Sequence, residues 1–161
     1  MSTRRQLTLF VPSGASGTIE AVRQRLDQVQ HRLIAAPVTV CREHEITPWS
    51  SDRLRERAKN EAPLMIELAF GPPVSFFEHG VKLDCVAGQD RFQALRERLL
   101  AGRVIAAATA HITLAHPRNP RSAGNAYAAA GALVDGVSIG FDKISLIEQV
   151  DDQPWQSLWS V

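Results

Sequence analysis

Apolar and polar positions alternate from Gln6 to Val11 and stop at Pro12-Ser13-Gly14, which predicts an opening strand ended by a turn. Ile19, Val22, Leu26, Val29 and Leu33 then recur at spacings of three and four, the one-faced stripe of an amphipathic helix, with Thr18 placed as its N-cap. A short strand follows at Val38 to Arg42, with Pro37 as its first residue, where a missing N–H does least harm. Ser50-Ser51-Asp52 predicts the cap of a charged helix from Arg53 to about Asn60. Leu64 to Phe70 reads as a strand terminated by Gly71-Pro72-Pro73, and Val74 to Phe77 and Val81 to Val86 as two more, turning at His79-Gly80. Asp90 is placed to cap a helix with Phe92, Leu95 and Leu99 inward, stopped at Gly102. His111 to Leu114 alternates again as a strand, and Ser122 to about Leu133 reads as an Ala-rich helix. Val137 to Phe141 and Ile144 to Gln149 are the last predicted full strands, and the tail from Trp155 to Val161 is apolar enough to pair or pack at an edge.

This order contains an approximate repeat. An amphipathic helix, a small-residue link and Pro37-Val38-Thr39-Val40 are echoed by an amphipathic helix, a small-residue link and His111-Ile112-Thr113-Leu114. The repeat predicts an α+β fold, a single two-lobed domain over residues 1–161, whose similar halves meet near a pseudo-twofold axis. The Thr-bearing faces of the two strands would then line one central cleft.

Composition narrows the classes without choosing among activities. With 161 residues, 45% of them apolar and 22% charged, the chain has the material of a soluble globular domain rather than a disordered or collagenous segment. Eighteen basic residues against 17 acidic ones give a formal charge of +1, so no global field drives nonspecific binding to nucleic acid. Nucleic-acid contact, if made, is local. Cys41 and Cys85 are isolated, with no zinc-type or redox spacing, which suits a reducing cytoplasm. No run reaches the roughly 18 apolar residues of a membrane span, and the apolar run behind Arg4-Arg5 is too short for a signal peptide.

Candidate chemistry centres on His111 and Thr113. At positions i and i+2 of a strand they project from one face, offering a single ligand an imidazole that titrates near neutrality and a hydroxyl that donates to phosphate oxygens. Any strand can carry such a pair on its polar face, so the pair alone does not define a site. Other residues have plainer readings: Cys41 as packing, His44 as an exposed loop histidine, His31 as solvent-facing and His79 as part of a turn. Regular strand geometry puts His116 opposite His111 unless Pro117 turns it back. Arg118 and Arg121 are either phosphate clamps or solvated loop arginines, and Phe76, Phe77, Trp49 and Trp155 either stack a base or pack an edge.

Taken together, the opening strand Leu7-Thr-Leu-Phe-Val, the Pro37 to Glu43 region, His111-Ile-Thr-Leu-Ala-His-Pro-Arg-Asn and the late strand Ile144-Ser-Leu-Ile-Glu-Gln resemble the two-histidine phosphoesterase superfamily. That group holds the bacterial 2′-5′ RNA ligase-like proteins and RNA 2′,3′-cyclic phosphodiesterases. The resemblance implies a metal-independent, cofactor-free hydrolase of small nucleotides or RNA termini; the chain is expected to act in the cytoplasm and as a monomer. The resemblance also implies that His111 is one acid/base, Thr113 its partner hydroxyl and Thr39 the hydroxyl of the first motif; Arg118, in the loop that follows, is the candidate for a further phosphate contact. The sequence departs from the family pattern where the first histidine should stand: Pro37 neither transfers a proton nor donates a hydrogen bond. Two expectations follow, a phosphodiesterase impaired by that loss and a noncatalytic module that binds nucleotides or RNA ends.

Overall fold

The computed structural model describes residues 1–103, 106–120 and 135–161. Its strands are β1 (Thr3–Phe10), β2 (Pro37–Cys41), β3 (Ile66–Phe76), β4 (Gly80–Ala87), β5 (His111–Ala115), β6 (Val137–Phe141), β7 (Ser145–Val150) and β8 (Gln156–Ser160). Its helices are α1 (Ser13–Leu26), α2 (Gln28–Leu33), α3 (Glu43–Ile46), α4 (Ser51–Lys59) and α5 (Gln89–Leu99). The helix expected at Ser122 to Leu133 and the candidate Arg121 lie outside the described residues.

The strands form two four-stranded antiparallel sheets, ordered β2-β1-β7-β8 and β5-β4-β3-β6. Each motif strand, β2 or β5, therefore lies at the edge of its sheet, and the two edges touch. Buried side chains from both sheets, among them Leu7, Leu9, Val38, Val40, Leu68, Leu83, Ile112, Leu114 and Leu146, join α1, α4 and α5 in one continuous core. The α+β architecture of two similar halves is as the repeat predicts. The division along the chain is different: β7 and β8 return from the C-terminal end to complete the sheet begun by β1 and β2. The tail expected at an edge is β8, paired to β7.

Four local expectations are corrected. The first helix starts at Ser13, five residues before Thr18, with Pro12 in the extended cap position. It also ends early, because Asp27 leaves helical geometry and its carboxylate accepts from the Gln30 N–H at 3.0 Å, starting α2. Val29 is consequently 61% exposed, outside the core stripe it was expected to extend. Third, Gly71-Pro72-Pro73 does not end a strand. β3 runs through it with a register shift against β4 between Phe70 and Pro73. Pairing with β6 covers only Ile66 to Phe70, so both prolines lie beyond it, where an absent N–H removes no ladder bond on that side. Fourth, Asp90 does not cap α5: the helix starts at Gln89, Gly88 takes the N-cap position at φ +91°, and Asp90 lies inside the first turn. As expected, Ser50 Oγ caps α4 by accepting from Arg53 N, and Gly102 adopts φ +75° just past α5.

Candidate active site

The touching edges of the two sheets frame a cleft of about 600 Å³. The sheet holding β1 and β2 contributes Arg4, Gln6 and Thr39; the other side contributes Thr109 and His111, with Phe76 and Phe77 from the β3–β4 hairpin. The turn after β5 closes one end with His116, Pro117 and Arg118, while Arg42 and Arg96 close another part of the wall. Among the described residues no carboxylate lines this space; Arg96 is paired with Glu45, so the Arg4, Arg42 and Arg118 guanidinium groups set its potential. A second hollow of about 370 Å³ adjoins it, sharing Arg42, Phe76, Arg96 and His111 and adding His44, Glu45 and Lys82. The near-neutral chain thus concentrates positive charge locally at the junction of its halves.

Thr39, His111 and Arg118 are brought together in the cleft. Thr113 is half-buried one pleat along from His111 and is not among the lining residues; its carbonyl accepts from Arg23 Nε at 3.2 Å. Pro37 stands half-buried at the start of β2, paired with Phe10, as the sequence places it. Cys41 is fully buried, and desolvation pushes its thiol up to about 12, which removes it as a nucleophile. His44 is exposed on α3 and lines the adjoining hollow, not the main cleft.

The tautomer of His111 follows from its partner. Nδ1 lies 3.1 Å from the Thr109 carbonyl, which only accepts, so Nδ1 carries the hydrogen and Nε2 holds the lone pair in the neutral ring. Burial lowers the His111 pKa below its ordinary value; the Thr109 bond opposes the shift, and Lys82 and Arg42 reinforce it. The ring also packs edge-on against Phe76, with centroids 5.3 Å apart. A neutral imidazole with a free Nε2 is a proton acceptor near pH 7.

His116 is the residue that strand parity misplaced. β5 ends at Ala115, and the following turn sends the His116 ring into the cleft. The buried Asp27 carboxylate anchors that turn, accepting from His116 N at 2.9 Å and from Asn119 Nδ2 at 2.8 Å. The signal for this was the Pro117 that follows.

Two buried arginines cross between the halves in a reciprocal pattern. Arg23 of α1, 1% exposed, donates to Thr113 O in β5 and, at 2.9 Å, to Ile34 O just before β2. Arg96 of α5, also 1% exposed, donates to Val40 O in β2 and, at 3.1 Å, to Ala106 O on the approach to β5. Each charge has a carboxylate partner: Glu20 for Arg23 at 2.9 Å and Glu45 for Arg96 at 2.6 Å. Glu20 further accepts from Ala36 N at 2.5 Å, fixing the residue that precedes Pro37. Each helix thus ties its own motif strand to the opposite one, and the spacing of the cleft walls depends on both ties. Sequence periodicity marked neither arginine, because each occupies the apolar face of its helix.

Among the described residues no three histidine, cysteine, aspartate or glutamate side chains group as a metal site would require. No described helix is long and apolar enough to cross a membrane.

No protein-family model and no curated protein matches the chain. Solved structures do. E. coli LigT complexed with phosphate aligns at TM-score 0.61 and 15% identity, over 99% of this chain and 96% of that one. E. coli LigT complexed with 3′-AMP aligns at TM-score 0.55 and 12% identity over the same shares. TT0787 of Thermus thermophilus aligns at TM-score 0.60 and 16% identity, over 98% of this chain and 96% of that one. At these identities the likeness is one of fold, end to end, and it agrees with the resemblance drawn from the sequence.

Proposed function

We propose that the cleft between β2 and β5 is a phosphate-ester site of the two-histidine phosphoesterase type, taking small nucleotides or RNA termini that carry a 2′,3′-cyclic phosphate or a 2′-5′ linkage. The observation that carries this reading is the neutral His111 with its Nε2 free, set across from Thr39 in a cleft walled by arginines. Arg42 and Arg118 supply charge-assisted donors for nonbridging oxygens. Phe77, 80% exposed at the cleft rim and stacked on Phe76 at 5.2 Å, offers a face to a base. The fold-level neighbour LigT is described in complexes with phosphate and 3′-AMP, ligands of this chemical class.

For a 2′,3′-cyclic phosphate the step is attack by water on phosphorus. The water proton passes to His111 Nε2, the new O–P bond forms, and the P–O bond to one ribose oxygen breaks. That ribose oxygen leaves from the opposite side of phosphorus and must be protonated there. Pro37 has no proton to give, and a missing acid/base group typically costs about 10²–10⁴-fold in rate. The site is therefore read as a slow phosphodiesterase. A second reading, a module that binds nucleotide or RNA ends without turnover, is favoured by the same residue.

Hydrolysis of 2′,3′-cyclic AMP by the wild type, His111→Ala and Pro37→His separates them. Wild-type turnover lost in His111→Ala and raised in Pro37→His supports the slow enzyme. Turnover unchanged in His111→Ala refutes the assignment, and nucleotide binding without turnover selects the binding module. Thr113→Val, measured alongside, shows whether a hydroxyl outside the cleft lining still reaches the ligand.

A further inference from the structure

The motif segments Pro37-Val-Thr-Val-Cys-Arg42 and His111-Ile-Thr-Leu-Ala-His116 have equal length, so Arg42 and His116 occupy the same place in each. The buried arginines fix how these segments pass each other. Arg23 reaches Ile34, three residues before β2, and Thr113, the middle residue of β5, whereas Arg96 reaches Val40 of β2 and Ala106, five residues before β5. The two segments therefore run past each other in opposite directions, each approached beside the other. Both Arg42 and His116 line the cleft.

The ring of His116 is held in the tautomer complementary to that of His111. Its Nδ1 accepts from the Arg118 N–H at 3.1 Å, so in the neutral ring the hydrogen sits on Nε2. Burial and the Arg118 charge lower its pKa, while Asp27 opposes the shift. An imidazolium would additionally break the Arg118 turn bond, whose acceptor is the Nδ1 lone pair. A neutral imidazole fixed in this way is a hydrogen-bond donor to a developing or resident negative charge rather than a source of protons, a role known for neutral histidines in other sites.

Resting on the phosphate-site reading above, we propose that His116 supplies a second imidazole to the phosphate: its Nε2–H binds a phosphate oxygen as a neutral donor. The site becomes one that holds a phosphate ester between a base at His111 and a fixed donor at His116.

The test is calorimetric titration with 3′-AMP. A hydrogen bond to a charged group contributes about 1.5–3 kcal/mol, so His116→Ala is expected to weaken binding about 10–150-fold. His116→Gln, whose amide nitrogen replaces Nε2, is expected to stay within about fivefold of wild type, the cost of one neutral hydrogen bond. Nitrogen-15 spectra of the wild type supply a readout independent of any variant's folding: Nδ1 unprotonated and Nε2 protonated at pH 7, with the Nε2–H signal shifting on addition of 3′-AMP. Wild-type affinity in His116→Ala, with affinity lost in His111→Ala and Arg118→Ala, overturns the assignment of His116 and leaves the phosphate site standing. Wild-type protein that does not bind 3′-AMP at all overturns the phosphate site itself.

Discussion

Arg23→Met removes one of the two ties between the halves without touching the cleft. Arg23 is 1% exposed and does not line the cleft, so its loss acts on the site only through the scaffold. The variant deprives Ile34 O and Thr113 O of donors and leaves Glu20 without its guanidinium. Each buried acceptor left unpaired costs about 1–3 kcal/mol. Breaking a fully buried ion pair costs about 3–5 kcal/mol, but the Glu20 side chain is 24% exposed and keeps its bonds to His31 and Ala36 N, so that component is smaller here. A total of about 3 kcal/mol is expected, which for a domain of this size lowers Tm by roughly 6–12 °C. Urea unfolding gives the free energy, and titration with 3′-AMP at about 15 °C, where the variant remains folded, gives the functional consequence. Loosening of β2 against β5 is expected to weaken binding about tenfold. A stability loss below about 1 kcal/mol contradicts the cost assigned to the lost donors. Full destabilisation with unchanged binding contradicts the claim that the tie sets the cleft.

Glu45 makes the other tie sensitive to acid. Burial alone would raise its carboxyl, but the Arg96 hydrogen bonds, the Arg42 N–H and the Arg96 charge hold it below the usual range. A folded pKa below the unfolded one contributes stability that is present above about pH 4.3 and lost as pH falls through the folded value. Glu45→Gln is therefore expected to flatten the acid limb of the stability profile. The His111 imidazole, whose folded pKa is lowered mainly by burial, should titrate by NMR at a midpoint below about 6.5 in the free protein. Gly80→Ala drives a Cβ to within 2.5 Å of Phe76 O, 2.9 Å of Ala115 O and 2.9 Å of Pro117 N, all backbone atoms. It is expected to cost about 1–3 kcal/mol in urea unfolding and to shift the His116 amide resonance. Phe77→Ala should weaken 3′-AMP by about 1–3 kcal/mol, the stacking contribution of a base, and leave inorganic phosphate binding unchanged.

Elements whose own residues decide them were legible in the sequence. β5 follows from alternation and α4 from its Ser50 cap. The fold class followed from the repeat of helix, link and motif strand. Features that depend on distant partners were not legible. β3 continues through Gly71-Pro72-Pro73 because its second neighbour, β6, stops short of the prolines, and nothing local to the tripeptide reveals that. α1 ends at Asp27 because that carboxylate is shared by the start of α2 and the turn at His116, 89 residues away. The candidate site divides in the same way. Thr39 and His111, singled out by the motif repeat, and Arg118, by the loop that follows it, line the cleft, whereas Thr113 shares the face of His111 yet is not in the cleft lining. His116, Arg42 and the two crossing arginines emerged only when the two edges were seen together, since their meaning lies in the opposite half.

The central claim, that a phosphate ester is held where β2 and β5 meet, is tested most directly by a crystal structure of the protein with 3′-AMP. The phosphate is expected between Thr39 Oγ1 and the His111 and His116 Nε2 atoms, within hydrogen-bond reach of all three, with Arg118 or Arg42 on the remaining oxygens. A nucleotide bound elsewhere, or a phosphate that touches neither histidine, contradicts the claim.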